Sequence, residues 1–476
     1  MLRETGYDHQ QLQDDVSSNE PLLVADQRAA YDRVLKALQA GNGGLMFLDA
    51  PGGTGKTFLI KLLLSRVRMN GEIALAVASS GIAATLLPGG RTAHSTFKLP
   101  LNIGQMDQPH CTLSKGTDEA AVMKHCKLIV WDECTMTHRH ALEAVDRTLQ
   151  DLRENDSLFG GVLVLLAGDF RQILPVVKRG TPADELSACL KASYLWRHVQ
   201  HMSLNTNMRV HCSGDISSGH FAAQLLQLGN GDMPVDEQDT VTLPDDFGQK
   251  VAQAHLLEAA VYPNLAENYH NLDWLQERAI LAPKNDSVNT INFSLQNLLP
   301  GSEMVYSSID SVVDSSETVD YPTEFLNSLN PSGLPPHKLK LKKGTPVMLL
   351  RNLDPPKLCN GTRMVVKTMM PNVIEAIIMT GEARNEEVFI PRIPLIPSDL
   401  PFQFKRLQFP LKVCFAMTIN KAQGQTLKVA GLHLNTPCFA HGQLYVGCSR
   451  VGKSDNLFIY TSDGNTRNVV YPMALQ

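Results

Sequence analysis

The sequence predicts an α/β protein built on two parallel-sheet units, the second interrupted by a small β-barrel. Three observations predict it. Near-continuous apolar runs at 45–48, 73–78, 128–131 and 162–167 have the character of strands buried on both faces. Helical spacing at 58–70 and 139–153 alternates with them, the pattern of a parallel sheet with crossover helices. After 338 the pattern changes to short strands between turn residues (KLKLKKGTPVMLLRNL, GTRMVVKTMM, VIEAIIMTG, EEVFIP), before α/β character returns through LKVCFAMTINKAQG.

In chain order, residues 1–20 are polar and acidic without apolar periodicity and read as a disordered lead-in. Residues 21–203 form the first α/β unit. The second comprises 204–337 and 405–476, with the barrel at 338–404. Within it, 302–336 is rich in Ser, Pro, Asp and Asn and reads as a long insertion or flexible loop. The alternation of Lys338, Lys340 and Lys342 puts three cations on one strand face. Such a face can grip a phosphate backbone or can be a solvated edge guarded by lysines.

A chain of 476 residues exceeds one core and implies two or three domains. With 43% hydrophobic and 19% charged residues it has the composition of a globular protein. No window approaches eighteen uninterrupted apolar residues, so no membrane span is expected. The opening MLRETGYDHQQLQDD lacks an apolar core behind positive charge and is not expected to be a secretory signal. The nine cysteines form no CxxC pair, which argues against a zinc ribbon or disulfide framework and for a reducing, intracellular setting. A net charge of −5 is not that of a typical nucleic-acid binder. A groove that grips one strand needs local cations, however, not a basic whole.

The strongest local signal is LMFLDAPGGTGKTFLIKLLL, a strand, a glycine-rich turn and an amphipathic helix. Gly52, Gly53, Thr54 and Gly55 let successive backbone N–H groups face a phosphate, and the helix adds its positive end. Lys56 can reach the β- and γ-phosphates of ATP, and Thr57 can offer a hydroxyl to Mg²⁺. Ala50 stands where the strict pattern has its first glycine, which a small residue satisfies if its φ is negative. A second strand, LIVWDE, delivers Asp132 to hold Mg²⁺ and Glu133 to act as base for the attacking water. A third, VLVLLAGDFRQ, ends on Gln172, which can sense the γ-phosphate.

These blocks, with ASSGIAATLLPGGRTAHSTFKLP, LNTNMR, AMTINKAQGQTL and LYVGCSRV, resemble in content and order the Pif/RecD-type branch of superfamily-one DNA helicases. The likeness covers roughly 22 to 460 and looks closest to the helicase portion of Helitron transposon proteins. It implies two RecA-like motor domains closing on ATP, with the barrel helping to clamp DNA. It further implies a partner that is single-stranded DNA or a duplex junction, 5′-to-3′ movement, a monomeric motor and nuclear residence. By position it implies that Gln27 recognises adenine and that Arg209 and Arg450 reach the γ-phosphate, a role suited to a planar, permanently charged group. Gly424 and Gln425 would approach phosphates and ribose. Ser80, Thr92, His94 and Phe97 would contact DNA, through hydroxyls and an aromatic face, as would Thr418, Asn420 and Lys421, with Gln423 in the same block. Asn420 stands where many relatives carry histidine.

Two other readings remain open at this point: an ATPase acting on RNA or remodelling complexes, and a transposon-derived binding module that has lost catalysis. Transposon relatives carry an upstream nuclease domain, for which there is no room before Gln27. His138 and His140, an HxH pair, open a predicted helix, not a strand as a nuclease metal site would need.

Overall fold

The computed structural model describes all residues except 1, 209–210, 212–215, 238–239, 314–320, 332, 382, 398–399, 401 and 463. The first unit is built on a six-stranded, all-parallel sheet. Its order is Arg91–Thr92, Ile73–Ala78, Cys126–Asp132, Leu163–Gly168, Gly44–Asp49 and Val199–Ser203. Alternate residues of each strand enter two different cores. Phe47, Val77, Trp131 and Leu166 face one, while Met46, Ala76, Val130 and Leu165 face the other. Burial on both faces is why these strands read as continuous apolar runs. Helix Lys56–Met69 covers the second core with Leu59, Leu63 and Val67, and helix Arg139–Arg153 covers the first with Leu142, Val145 and Leu149. The register pairs Ala78 with Asp132 and Asp49 with Gly168, so the three candidate nucleotide segments leave the same carboxyl edge of the sheet.

The second unit repeats this plan. Five parallel strands lie in the order Ala416–Thr418, Arg278–Ala282, Val429–His433, Leu457–Tyr460 and Gln249–Val251. Ala279 and Leu281 point into one core, Ile280 and Ala282 into the other. The chain then returns to the first unit, where Tyr471, Ala474 and Leu475 join its core. No helix among the described residues is long and apolar enough to cross a membrane.

Three expectations need correction. Residues 1–20 are not a structureless lead-in, because helices occupy Leu2–Thr5 and His9–Asn19. Only Leu12 and Val16, one turn apart, give the second helix a buried face. Polar anchors do the rest. Asp8 accepts from the amides of Gln10 and Gln11, the Arg68 guanidinium lies 4.4 Å from the Tyr7 ring centre, and Glu4 pairs with Arg91. One apolar pair is too faint a periodicity to read from sequence.

The β-rich insert is also larger than 338–404. It leaves after helix Asn285–Leu298 and returns at Ala416, and it includes strands Met304–Ser307 and Ile309–Val312 and helix Thr323–Ser328, where a loop was expected. Asp310 in this polar stretch is not solvated. It forms a pair with Arg406, Nη2 to Oδ2 2.7 Å, in which both side chains are 0% exposed. Finally, the five-stranded antiparallel sheet of the insert ends on Glu387–Pro391 and Leu411–Val413, which do not pair with each other. In place of a closed barrel, this open sheet shares a core with the two-stranded sheet of Met304–Ser307 and Lys338–Leu341, through Tyr306, Leu339, Val347, Val366 and Leu411.

The lysine alternation resolves toward the structural reading. Lys340 pairs with Glu303 at 3.3 Å. Lys342 lies beyond the strand and donates to the carbonyl of Leu299 at 2.7 Å, just past the end of helix Asn285–Leu298, where a cation is favoured.

Candidate nucleotide and nucleic-acid site

The phosphate loop leaves strand Gly44–Asp49 with Ala50 outside the positive-φ region, as its small side chain requires, and with Gly53 and Gly55 at φ 92° and 80°. Gly55 has a second reason to be glycine. A Cβ there would lie 2.4 Å from Nε2 of Gln27. Gln27 is buried across the loop and donates from Nε2 to the carbonyl of Thr54 at 3.0 Å. The amide of Met208 donates to the Gly53 carbonyl at 2.8 Å, so the segment leading to Arg209 docks on the loop. Arg209 itself lies outside the described residues.

Lys56 opens the following helix, and its Nζ sits 2.7 Å from Oδ1 of Asp132 and 2.6 Å from Oε1 of Glu133. Burial opposes the lysine's charge, but the two carboxylates outweigh it and hold its pKa well above the ordinary value. Glu133 feels the same burial. Lys56, Gln423 and Arg450 overcome it and keep its carboxyl below the usual range. Desolvation with Glu133 alongside pushes Asp132 upward, against the pull of Lys56. Glu133 also adopts φ 50°, sparsely populated for a non-glycine residue, which turns its side chain out of the strand line.

The second unit closes this site. Nε2 of Gln423 donates to Oε2 of Glu133 at 3.1 Å. Gly424, at φ 83°, passes so near the first unit that a Cβ would meet that of Ala83 at 3.3 Å. Gln425 is buried and donates to the Lys421 carbonyl. Gly52 faces Ser449, whose Cβ is 3.8 Å from where a Cβ on Gly52 would be. Arg450 is buried beside these residues, its guanidinium held by the carbonyls of Val446 at 2.8 Å and Gln425 at 3.0 Å and by Oγ of Ser449 at 2.7 Å. Gln172 is buried, and its Oε1, like that of Gln423, has no hydrogen-bond partner among the described residues. Such orphaned acceptors are costly unless a ligand or water meets them. Together with the glycine cradle and Thr57 in the first turn of the helix, they fit a bound Mg-nucleotide.

The expected nucleic-acid contacts divide. Ser80 and Thr92 are helix N-caps, accepting from the amides of Ala83 at 3.2 Å and Ser95 at 3.3 Å. A hydroxyl that accepts an amide keeps its own proton to donate. His94 is exposed, and partial desolvation lowers its pKa, favouring the neutral ring. Phe97 is a correction. It is 1% exposed, its ring 5.3 Å from that of Trp131 inside the first core, so it has no free face for a base. In the second unit, Thr418 and Asn420 are half-buried, with Asn420 accepting from Gln443 at 3.1 Å.

Lys421 is exposed, and burial of its surroundings, with Lys412 and Arg351 nearby, lowers its pKa. Lys412 and Arg351 escaped the sequence reading. They lie on the insert, where the pairing of Leu411–Val413 with Pro346–Leu349 brings them together, close enough to act on Lys421. His138 caps helix Arg139–Arg153 by accepting from the amide of His140, a structural role.

Three comparisons bear on this arrangement. The family model for PIF1-like helicase matches residues 22–239, and that for the 2B domain of DNA helicase Pif1 matches 324–369, together more than half of the chain. The ATP-dependent DNA helicase PIF1 of Danio rerio is 27% identical over 454 residues, covering 93% of this chain and 61% of that protein. The chain spans about three-fifths of the length of such curated relatives, 60 to 62%. A solved structure concerning DNA unwinding at forked dsDNA by two coordinating Pif1 helicases aligns with TM-score 0.68 at 22% identity, over 94% of each chain. The Pif1 helicase from Bacteroides, in complex with ADP-AlF3 and ssDNA, aligns with TM-score 0.65 at 22% identity, over 90% of this chain and 91% of that one. At this identity these two establish the fold: two parallel-sheet α/β units with an inserted β-domain.

Proposed function

This chain belongs to the PIF1-like helicase family, and from that premise we propose that it is an ATP-driven motor that moves along single-stranded DNA and unwinds duplex. One observation carries the reading. The catalytic carboxylate Glu133 of the first unit is held both by Lys56 of its own phosphate loop and by Gln423 of the second unit, so nucleotide chemistry and the relative position of the units share one residue.

In this mechanism the N–H groups around Gly53 and Gly55 and the Lys56 ammonium bind the phosphates, and Gln27 reads the base. Thr57 and Asp132 would hold Mg²⁺, which when bound neutralises charge on the β- and γ-phosphates. Glu133, kept ionised, takes the proton of the attacking water. Gln172, Arg209 and Arg450 meet the charge of the γ-phosphoryl group. Ser80, Thr92, His94, Thr418, Asn420 and Lys421 line the strand path, and closure of the units around ATP advances it. Support for DNA as track comes from relatives named as DNA helicases and from the Bacteroides structure with ssDNA. The 5′-to-3′ polarity, nuclear residence and closeness to Helitron helicases rest on the sequence blocks alone.

The test is ATP hydrolysis by the purified chain with and without single-stranded DNA, followed by strand displacement on matched DNA and RNA forks. Strong stimulation by DNA, and unwinding lost in Lys56→Ala, are expected. Stimulation by RNA alone would favour the RNA-directed ATPase. A well-folded chain that binds DNA without hydrolysing ATP would be the catalytically inactive module, a reading that the intact Lys56–Asp132–Glu133 cluster disfavours.

A further inference from the structure

Behind the phosphate site lies a second polar cluster, shared by the two motor units, that the mechanism above does not use. The turn after strand Leu163–Gly168 carries Asp169, Phe170 and Arg171 into Gln172, whose amide donates to the Asp169 carbonyl at 3.0 Å. The Asp169 carboxylate is 0% exposed and has one partner on each side of the joint. Its Oδ1 accepts from Arg171 of the same turn at 3.1 Å. Its Oδ2 accepts from the phenol of Tyr445 at 2.8 Å, from the second unit. Arg171 in turn donates from Nε to Oδ1 of Asn230 at 2.8 Å, the last residue of helix Ile216–Asn230, also in the second unit. Its Nη1 lies 3.8 Å from Asp49.

The backbone is held as well. Nε2 of His441 is 2.8 Å from the Phe170 carbonyl. A Cβ on Gly442 would sit 2.2 Å from the Arg171 carbonyl oxygen. Tyr445 is buried, and burial with Asp169 pushes its pKa far up, so it remains a proton donor throughout the working range. Hydrogen bonds to a buried charged group are among the stronger polar contacts, and removing one partner leaves the other unsatisfied.

We infer that Tyr445 and Asn230 are positioning residues for Gln172: acting through Asp169 and Arg171, they tie its turn to the second motor unit, so that presentation of Gln172 to the γ-phosphate depends on where that unit sits. Neither residue is among those assigned to nucleotide or strand contact. Tyr445 lies on helix Gln443–Cys448, and Arg450 follows just past its end with Nε donating to the Val446 carbonyl, so the helix that anchors the arginine also grips the turn that carries the glutamine. The inference rests on the proposed ATPase activity, and the experiment separates the two.

Tyr445→Phe removes one hydroxyl and keeps the packed ring. Asn230→Ala removes the other anchor at the end of a helix. Steady-state hydrolysis by the full chain, saturated with oligo-dT, should show kcat reduced about tenfold in each variant, the scale of one charged hydrogen bond. KM for ATP and the Kd for oligo-dT should stay within about twofold of wild type, because neither residue meets either ligand. The double variant should be no worse than about the poorer single one, since both act through one turn.

Two wild-type-like kcat values, or a loss confined to KM, would overturn the inference. Hydrogen exchange at the amides of 168–172 gives a readout independent of turnover. It should quicken in both variants, and unchanged protection would also refute the latch. If the wild-type chain does not hydrolyse ATP, the motor reading fails, while exchange still decides whether the latch exists.

Discussion

Replacing Lys56 with methionine keeps length and apolar bulk and removes the one cation that, among the described residues, contacts both Asp132 and Glu133. The three side chains are 12%, 6% and 5% exposed, so solvent screens the loss poorly. Breaking a buried ion pair by deleting one partner costs about 3–5 kcal/mol, and the lower end applies where a carboxylate can take up a proton instead. For a unit of this size, about 3 kcal/mol corresponds to a fall in Tm of about 6–12 °C. The pH dependence follows from the two shifts. The raised pKa of Lys56 means that its contribution is complete below its unfolded value, 10.5, and is lost only above that. The lowered pKa of Glu133 means that its contribution is present above its unfolded value, 4.5, and fades as pH falls through the folded one. In Lys56→Met both carboxylates lose the cation that favours their ionised form, so the penalty is largest at alkaline pH and shrinks as acid protonates them. Melting of nucleotide-free protein at pH 8.5 and pH 5.5 measures this directly. Equal melting temperatures for variant and wild type at pH 8.5, or a deficit that does not narrow at pH 5.5, would refute the argument.

Three further outcomes are expected. Phe97→Ala should lower stability by about 3–5 kcal/mol through the cavity it leaves; a loss of DNA affinity at unchanged stability would instead restore Phe97 as a base-stacking residue. Asp310→Ala strands the Arg406 guanidinium in a site with no solvent access and should destabilise the inserted β-domain by about 3–5 kcal/mol in a urea melt. Lys412→Ala should weaken oligonucleotide binding equally for all sequences and reduce the slope of log affinity against log salt by about 0.7, as one phosphate contact on a single strand would; fluorescence anisotropy at several salt concentrations reads both.

The parallel-sheet core was legible because its strands are buried on both faces and its helices on one, which gives unambiguous periods, and because the phosphate loop, Asp132 and Glu133 sit at strand ends on one sheet edge. What escaped was held by polar contacts at long range. Helix His9–Asn19 has one apolar pair and is secured by Asp8, Tyr7 and Glu4. Strand Ile309–Val312 is anchored by an aspartate that reads as solvated until Arg406, nearly a hundred residues later, is placed against it. Phe97 was misassigned for the converse reason. A phenylalanine in a motif reads equally as a stacking face or a core residue, and only its contact with Trp131 decides.

The same long-range pairing explains how an acidic chain can gather cations at one place. The net charge of −5 counts 43 basic against 48 acidic side chains, but many of the basic ones are already paired with a carboxylate of the chain. Arg91 pairs with Glu4, Arg171 with Asp169, Arg406 with Asp310, Lys367 with Glu375 and Glu387, Lys357 with Glu386, and Lys340 with Glu303. Among the described residues, Arg351, Lys412 and Lys421 have no such ion pair, and their mutual repulsion helps to depress the pKa of Lys421. Like charges gathered without counter-ions cost free energy, and that cost is relieved when a phosphate enters. Local excess of this kind, not the sum over the chain, sets the attraction for a polyanion within a Debye length of the cluster.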